Sequence, residues 1–175
     1  MTRKPPKKSI NAIPPEGLVH YMTPNGYAKL EKELHWLMHD ERPKIVEIVS
    51  WAAGNGDRSE NGDYIYNKKR LREIDHRARY LTKKLENTKI VDPKQQQDLD
   101  RVYFGATVKY AREDDSEIIV TLVDIDEADF TEAKINWKSP VGKALMKAEE
   151  GDIVKVRTDA GTEEIEIIEI SYIPD

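Results

Sequence analysis

From Tyr64 to Thr88 the chain keeps an unbroken heptad seam: Tyr64, Asn67, Leu71, Ile74, Ala78, Leu81, Leu85 and Thr88 fall at alternating steps of three and four. Most of these positions are apolar or aromatic, and a helix with such a stripe needs a second helix to bury it. The sequence supplies one upstream. Tyr27, Leu30, Leu34 and Leu37 follow the same steps, and Ile45, Ile48 or Val49, and Ala52 resume the stripe after Pro43, where its phase shifts. Thr23-Pro24 is a helix start, because the Thr hydroxyl can accept a free backbone N–H and proline at the first helical position gives up no bond. The first helix is therefore expected from Pro24 to about Ala53, with a kink or local unwinding at Pro43. Gly54-Asn55-Gly56 reverses the chain. A second helix from about Glu60 to Lys89 matches the first, giving arms about 45 Å long. The prediction is an antiparallel two-helix coiled coil.

Val91-Asp92-Pro93 ends the second helix, and Lys94-Gln95-Gln96-Gln97 reads as a linker. Beyond it, residues 102–111, 117–125, 153–158 and 164–173 are β-branched and often alternating, and Ser139-Pro140 opens a short helix to about Lys147. The chain is read as α+β in four parts: a flexible basic tail over 1–21, the hairpin over 22–93, a linker over 94–101, and over 102–175 a small antiparallel β domain with one helix. At 175 residues it is long enough for two modest cores.

Charge is divided unevenly along the chain. Residues 1–101 hold 20 Lys+Arg against 15 Asp+Glu, whereas residues 102–175 hold 8 against 18, so the halves face different electrostatic partners. The absence of cysteine removes thiol chemistry, disulfides and Cys-ligated zinc, and fits a reducing cytoplasm. No apolar run approaches the roughly 20 residues of a membrane span, and the N-terminus is charged and proline-rich where a signal peptide would be apolar.

The reversal carries the chemistry. In Asp57-Arg58-Ser59-Glu60-Asn61-Gly62-Asp63, the acids at 57, 60 and 63 each lie within one helical turn of the next, and hard cations such as Mg²⁺ take oxygen ligands of this kind. The same D-x-x-E spacing also fits a capping-box variant at the start of a helix. On the metal reading, two or three exposed carboxylates make an incomplete cage, which suits donation to a site elsewhere. Downstream, Lys68, Lys69, Arg70, Arg72, Arg77, Arg79, Lys83 and Lys84 stand against only Glu73 and Asp75. This run either tracks a polyphosphate chain or, at Arg70, Arg77 and Lys84 beside the seam, pairs with acids of helix one such as Glu33, Glu41 or Glu47. No interleaved aromatic suggests base stacking. His20, His35, His39 and His76 are dispersed and offer too few ligands for zinc, and Trp36 and Trp51 read as packing residues.

The string from Gly56 to Glu86, with Asp40-Glu41-Arg42-Pro43, Trp51-Ala52-Ala53 and Ser139-Pro140-Val141-Gly142-Lys143-Ala144-Leu145, resembles the bacterial Gre transcript-cleavage factors, and among them the GreB branch. The resemblance runs from about Tyr21 to the end. It implies a coiled coil followed by an FKBP-like domain, and a monomeric factor that enters the secondary channel of RNA polymerase without being a nuclease itself. Carried onto this chain, Asp57 and Glu60 would hold a Mg²⁺ shared with the polymerase and position the attacking water, with Ser59, Asn61 and Asp63 in support. The basic residues from Lys68 onward would contact the extruded 3′ segment of the nascent RNA. An inhibitory channel-binding protein, or a nucleic-acid-binding hairpin whose acids only cap a helix, is the competing reading. An autonomous metal nuclease is a third. The longer tail and Gly62 depart from the family pattern.

Overall fold

The computed structural model describes residues 20–56 and 60–174. Apart from its last residues, the expected basic tail lies outside them. The chain divides into a helical unit, Tyr27–Asn87, and a globular unit that takes the described residues through Gly26 together with 88–174.

In the helical unit the first arm comprises α1 (Pro24–Trp36), a π turn (Leu37–Glu41) and α2 (Arg42–Ala53), and the second is α3 (Gly62–Glu86). The seam buries Leu30, Leu37, Ile45 and Ala52 from the first arm against Asn67, Ile74, Ala78 and Leu81 from α3. Leu30 to Leu37 and Ile45 to Ala52 are steps of seven, but Leu37 to Ile45 is a step of eight. The π turn absorbs the extra residue: the Arg42 N–H bonds back five residues to the Leu37 carbonyl, so Ile45 returns to the seam. Pro43 has no N–H to give the preceding turn and its ring crowds that turn, so the widened turn falls just before it. The local unwinding expected at Pro43 is therefore a register correction one turn upstream. The second helix ends at Glu86 rather than Lys89, because Thr88–Ile90 leaves it as a strand.

The globular unit is mixed α+β. Its five-stranded sheet runs in the order β5 (Lys134–Asn136), β4 (Glu117–Val123), β3 (Thr107–Ala111), β7 (Gly161–Ser171), β6 (Ile153–Thr158). All pairs are antiparallel except β4 with β5, a parallel edge pair reached through two 3₁₀ turns, Ile125–Glu127 and Phe130–Glu132. The helix α4 (Pro140–Leu145) starts as expected, with the Gly142 N–H on Ser139 Oγ at 3.2 Å, and stops short of Lys147. The apolar core holds Val102, Phe104, Val108, Leu122, Leu145, Ile165 and Ile167.

Two boundaries differ from the sequence reading. The strand β1 (His20–Met22) pairs in parallel with β2 (Thr88–Ile90), and Tyr21, placed in the tail above, enters the globular core. Its ring lies 5.7 Å from Phe104 and 6.0 Å from Trp137, so an aromatic cluster ties the chain start to the sheet. The segment read as a linker is packed as well. Gln96 is buried and donates Nε2–H to the Phe104 carbonyl at 2.8 Å, and Gln97 donates to the Tyr172 carbonyl at 2.6 Å. Its glutamines satisfy backbone acceptors, a role that polar composition alone does not show.

The start of α1 is held from outside the helix. Thr23 Oγ1 accepts the Gly26 N–H at 3.2 Å, as its position before Pro24 predicts. Glu127, from the first 3₁₀ turn, then accepts the Thr23 N–H at 3.1 Å, the Thr23 hydroxyl, and the Asp124 N–H at 3.2 Å. Burial raises the Glu127 pKa above the ordinary carboxylate value, against the pull of these donors. A methyl group on Gly26 would overlap the Glu127 carboxyl, so glycine is what lets the acid reach the cap. Gly26→Ala should therefore lose about 1–2 kcal/mol in the native background by displacing this carboxyl. In a Glu127→Ala background the same change should gain up to about 1 kcal/mol from helix propensity. Urea denaturation of the four proteins checks this, and an effect of the same sign in both backgrounds would remove the steric link.

Candidate functional site at the hairpin tip

The reversal begins where α2 ends at Gly54, and Gly56 takes φ +108°, a conformation open to glycine at little cost. Asp57 and Ser59, two of the predicted site residues, lie outside the described residues. Glu60 is exposed and stands one residue before the N-cap of α3. The cap is Asn61, at φ −84° and ψ 101°, whose Oδ1 accepts the Tyr64 N–H at 3.1 Å. Its carbonyl accepts the first helical bond, from the Ile65 N–H at 3.0 Å. A capping-box acid would sit three residues inside the helix, so Glu60 is not spent on the cap. Asp63 lies exposed in the first turn, where the helix dipole favours an anion.

Asn61 does more than begin the helix. Its Nδ2–H donates to the Ala52 carbonyl of α2 at 2.7 Å, and the same carbonyl accepts the Asn55 N–H at 3.0 Å. One side chain thus caps the second arm and ties it to the end of the first. A turn below, the buried Asn67 returns its Nδ2–H to the Asp63 carbonyl at 2.8 Å, so this polar seam position is satisfied within its own helix. The sequence reading began α3 near Glu60 and gave Asn61 only a supporting place. The signal it passed over was asparagine directly before the first helical residue.

The donor set suits a hard, oxygen-seeking cation: Glu60 and Asp63 are exposed carboxylates, with the Asp57 position three residues from Glu60. Among the described residues no group of three or more His, Asp or Glu could hold a metal ion. The described part of the tip thus offers at most a partial set of ligands.

The basic run of α3 separates into two populations. Arg77 makes a bidentate pair with Glu33, at 2.8 and 3.0 Å, and Arg70 lies 3.5 Å from Glu41. Lys84 is buried at 4% exposure. The row beside the seam, Arg70, Arg77 and Lys84, is therefore engaged within the hairpin, Arg70 and Arg77 by pairing with acids of the first arm. Lys68, Lys69, Arg72, Arg79 and Lys83 stand exposed. Lys69, Arg72, Arg79 and Lys83 recur at helical spacing on the face away from the seam, and Lys68 flanks it, 5.8 Å from the Tyr64 ring. Trp36 and Trp51, read as packing residues, are 46% and 62% exposed, because the seam takes their neighbours Leu37 and Ala52 and turns the indoles outward. The core tryptophan is Trp137. The rings of His35 and His39 lie 4.3 Å apart on α1 and the π turn.

The clamp can be measured apart from the cap. Asn61→Asp keeps an acceptor for the Tyr64 N–H but loses the donor to Ala52, and should lower stability by about 1 kcal/mol. Asn61→Ala loses both and should fall by a further ~1 kcal/mol. Thermal melting would give the order native, Asp, Ala; an Asp variant as stable as the native protein would show that the bond between the arms contributes nothing.

The two structural units agree with what comparison with known proteins shows. Residues 20–90 match the family model described as "Transcription elongation factor, N-terminal", and residues 95–172 match "Transcription elongation factor, GreA/GreB, C-term". Transcription elongation factor GreB of Neisseria meningitidis serogroup B is 54% identical over 154 residues, covering 88% of this chain and 94% of the relative. The GreB proteins of Yersinia pestis and Pseudomonas aeruginosa are each 46% identical, over 89% and 87% of this chain and 90% of their own lengths. With two models spanning nearly all the described residues and relatives this similar along most of their length, the chain belongs to the GreA/GreB family of transcription elongation factors.

Proposed function

We propose that this elongation factor inserts its hairpin tip into the secondary channel of RNA polymerase and stimulates the polymerase to cut backtracked nascent RNA, so that arrested complexes regain a usable 3′ end. The observation that carries the proposal is the placement of Glu60. It is exposed, it lies outside the helix, and it directly precedes the asparagine that ties the two arms together. A carboxylate so held has a defined position without being consumed by the fold.

Asp57 and Glu60 would hold a Mg²⁺ in common with polymerase carboxylates, an ion that lowers the pKa of a bound water and neutralises charge on the scissile phosphate. Glu60 would contribute an oxygen donor and accept a hydrogen bond from the attacking water, orienting it. Asn61 fixes the backbone on which that carboxylate sits, and the exposed cations Lys68, Lys69, Arg72, Arg79 and Lys83 neutralise phosphates of the extruded strand. An exposed tip cannot exclude water or complete an octahedron, so the chain acts as an accessory factor that depends on the polymerase site.

Mixed with a stalled, backtracked elongation complex, the protein should release short 3′ RNA fragments. Asp57→Asn and Glu60→Gln should each slow release about 100-fold or more while polymerase binding persists. Unchanged release by these variants would remove the assigned role, binding without cleavage by the native protein would point to an inhibitory factor, and cutting of naked RNA without polymerase would point to a nuclease.

A further inference from the structure

The first turns of α3 carry an aromatic ring with no role in the hairpin. Tyr66 is 70% exposed, although the next residue, Asn67, is buried in the seam. Its outward direction is thus set by the register of the coil and does not reflect a loose helix end. The other two tyrosines of α3 have cations over their rings: Lys68 Nζ lies 5.8 Å from the centre of Tyr64, and Arg77 lies 5.3 Å from that of Tyr80. Among the described residues no cation covers Tyr66, so its face is open.

One exposed cation lies within a turn of this ring, on the same flank of the helix. On this flank Lys69 follows at i+3 and is exposed, Arg70 follows at i+4 and is paired with Glu41, and the exposed Asp63 precedes at i−3. An open aromatic face one turn from an exposed cation can hold a single strand, in which a base stacks and its phosphate is neutralised.

We infer that Tyr66 is a stacking platform for one unpaired nucleobase of a single-stranded RNA, with Lys69 neutralising the adjacent phosphate. This rests on the reading of the tip as working on an extruded RNA end. It adds a contact to the base where the basic residues read only the backbone. Because every base has a π face, the site tolerates any sequence and favours purines through their larger area. Tyr66 stands just before the basic run begins, outside the segment in which the sequence reading looked for stacking aromatics.

The test is the binding of a labelled single-stranded RNA of eight nucleotides to the full chain at low salt, followed by fluorescence anisotropy. Tyr66→Ala should weaken binding about 5- to 100-fold, as loss of one stacked base requires. Tyr66→Phe should bind like the native protein. The salt dependence should be the same for all three, since the phosphate contacts persist. An oligonucleotide of the same length with abasic sites should bind the native protein as weakly as RNA binds Tyr66→Ala, and should not distinguish the two proteins. Native-like binding by Tyr66→Ala, a loss in Tyr66→Phe equal to that in Tyr66→Ala, equal binding of the abasic strand, or no RNA binding at all would overturn the inference. Transcript cleavage is read separately, so a protein that stacks bases but releases no RNA fragment would remove the proposed function and leave the stacking site.

Discussion

The seam between the two arms is the constraint on which the tip depends. A helical hairpin delivers a side chain to a fixed point only if both arms arrive in register, and the first arm carries one residue too many for an unbroken heptad between Leu37 and Ile45. The π turn at Leu37–Glu41 takes up that residue. Without it, everything from Ile45 onward would rotate by about one residue position, or roughly 100°, and Ala52 would leave the face that meets α3. Ala52 is also the residue whose carbonyl receives Asn61. Register in the middle of the arm is thereby linked to the geometry at its end.

Polar groups finish what apolar packing begins. At the tip, Asn61 satisfies a free helix N–H and joins the arms. At the other end of the first arm, Thr23 does the capping and Glu127 holds Thr23 in turn, with Gly26 leaving the space. Along the flanks, the Arg77–Glu33 and Arg42–Asp75 pairs span the two arms, with nitrogen to oxygen distances of 2.8 Å. Exposed pairs of this kind contribute little to stability, about 0–1 kcal/mol each. The Arg77–Glu33 pair, with Arg70 beside Glu41, removes Arg70 and Arg77 from the set of cations turned outward.

Much of this was legible in the sequence. The seam from Tyr64 to Leu85, the Thr23-Pro24 and Ser139-Pro140 helix starts, and the strand over Ile153–Thr158 follow from periodicity and capping chemistry that act within a few residues. What periodicity missed depends on partners far along the chain. The strands β1 and β2 are three residues each and exist by pairing with one another across more than sixty positions. The parallel edge strand β5 likewise takes its structure from β4. Trp36 and Trp51 read as packing residues because tryptophan is usually buried, yet the neighbouring Leu37 and Ala52 occupy the seam. At the tip the acids were visible as a spacing, but a spacing served a helix cap and a metal site equally well. The location of the cap at Asn61 separates the two for Glu60.

The central claim is that this carboxylate completes a metal site supplied mainly by another protein. Its most direct measurement is the Mg²⁺ dependence of transcript cleavage in backtracked complexes, with saturating native protein or the Glu60→Asp variant. A ligand withdrawn by one methylene should raise the half-saturating Mg²⁺ concentration about tenfold or more, with cleavage recovering at high Mg²⁺. A reduced rate with an unchanged half-saturating concentration would contradict the account, because Glu60 would then act without holding the ion.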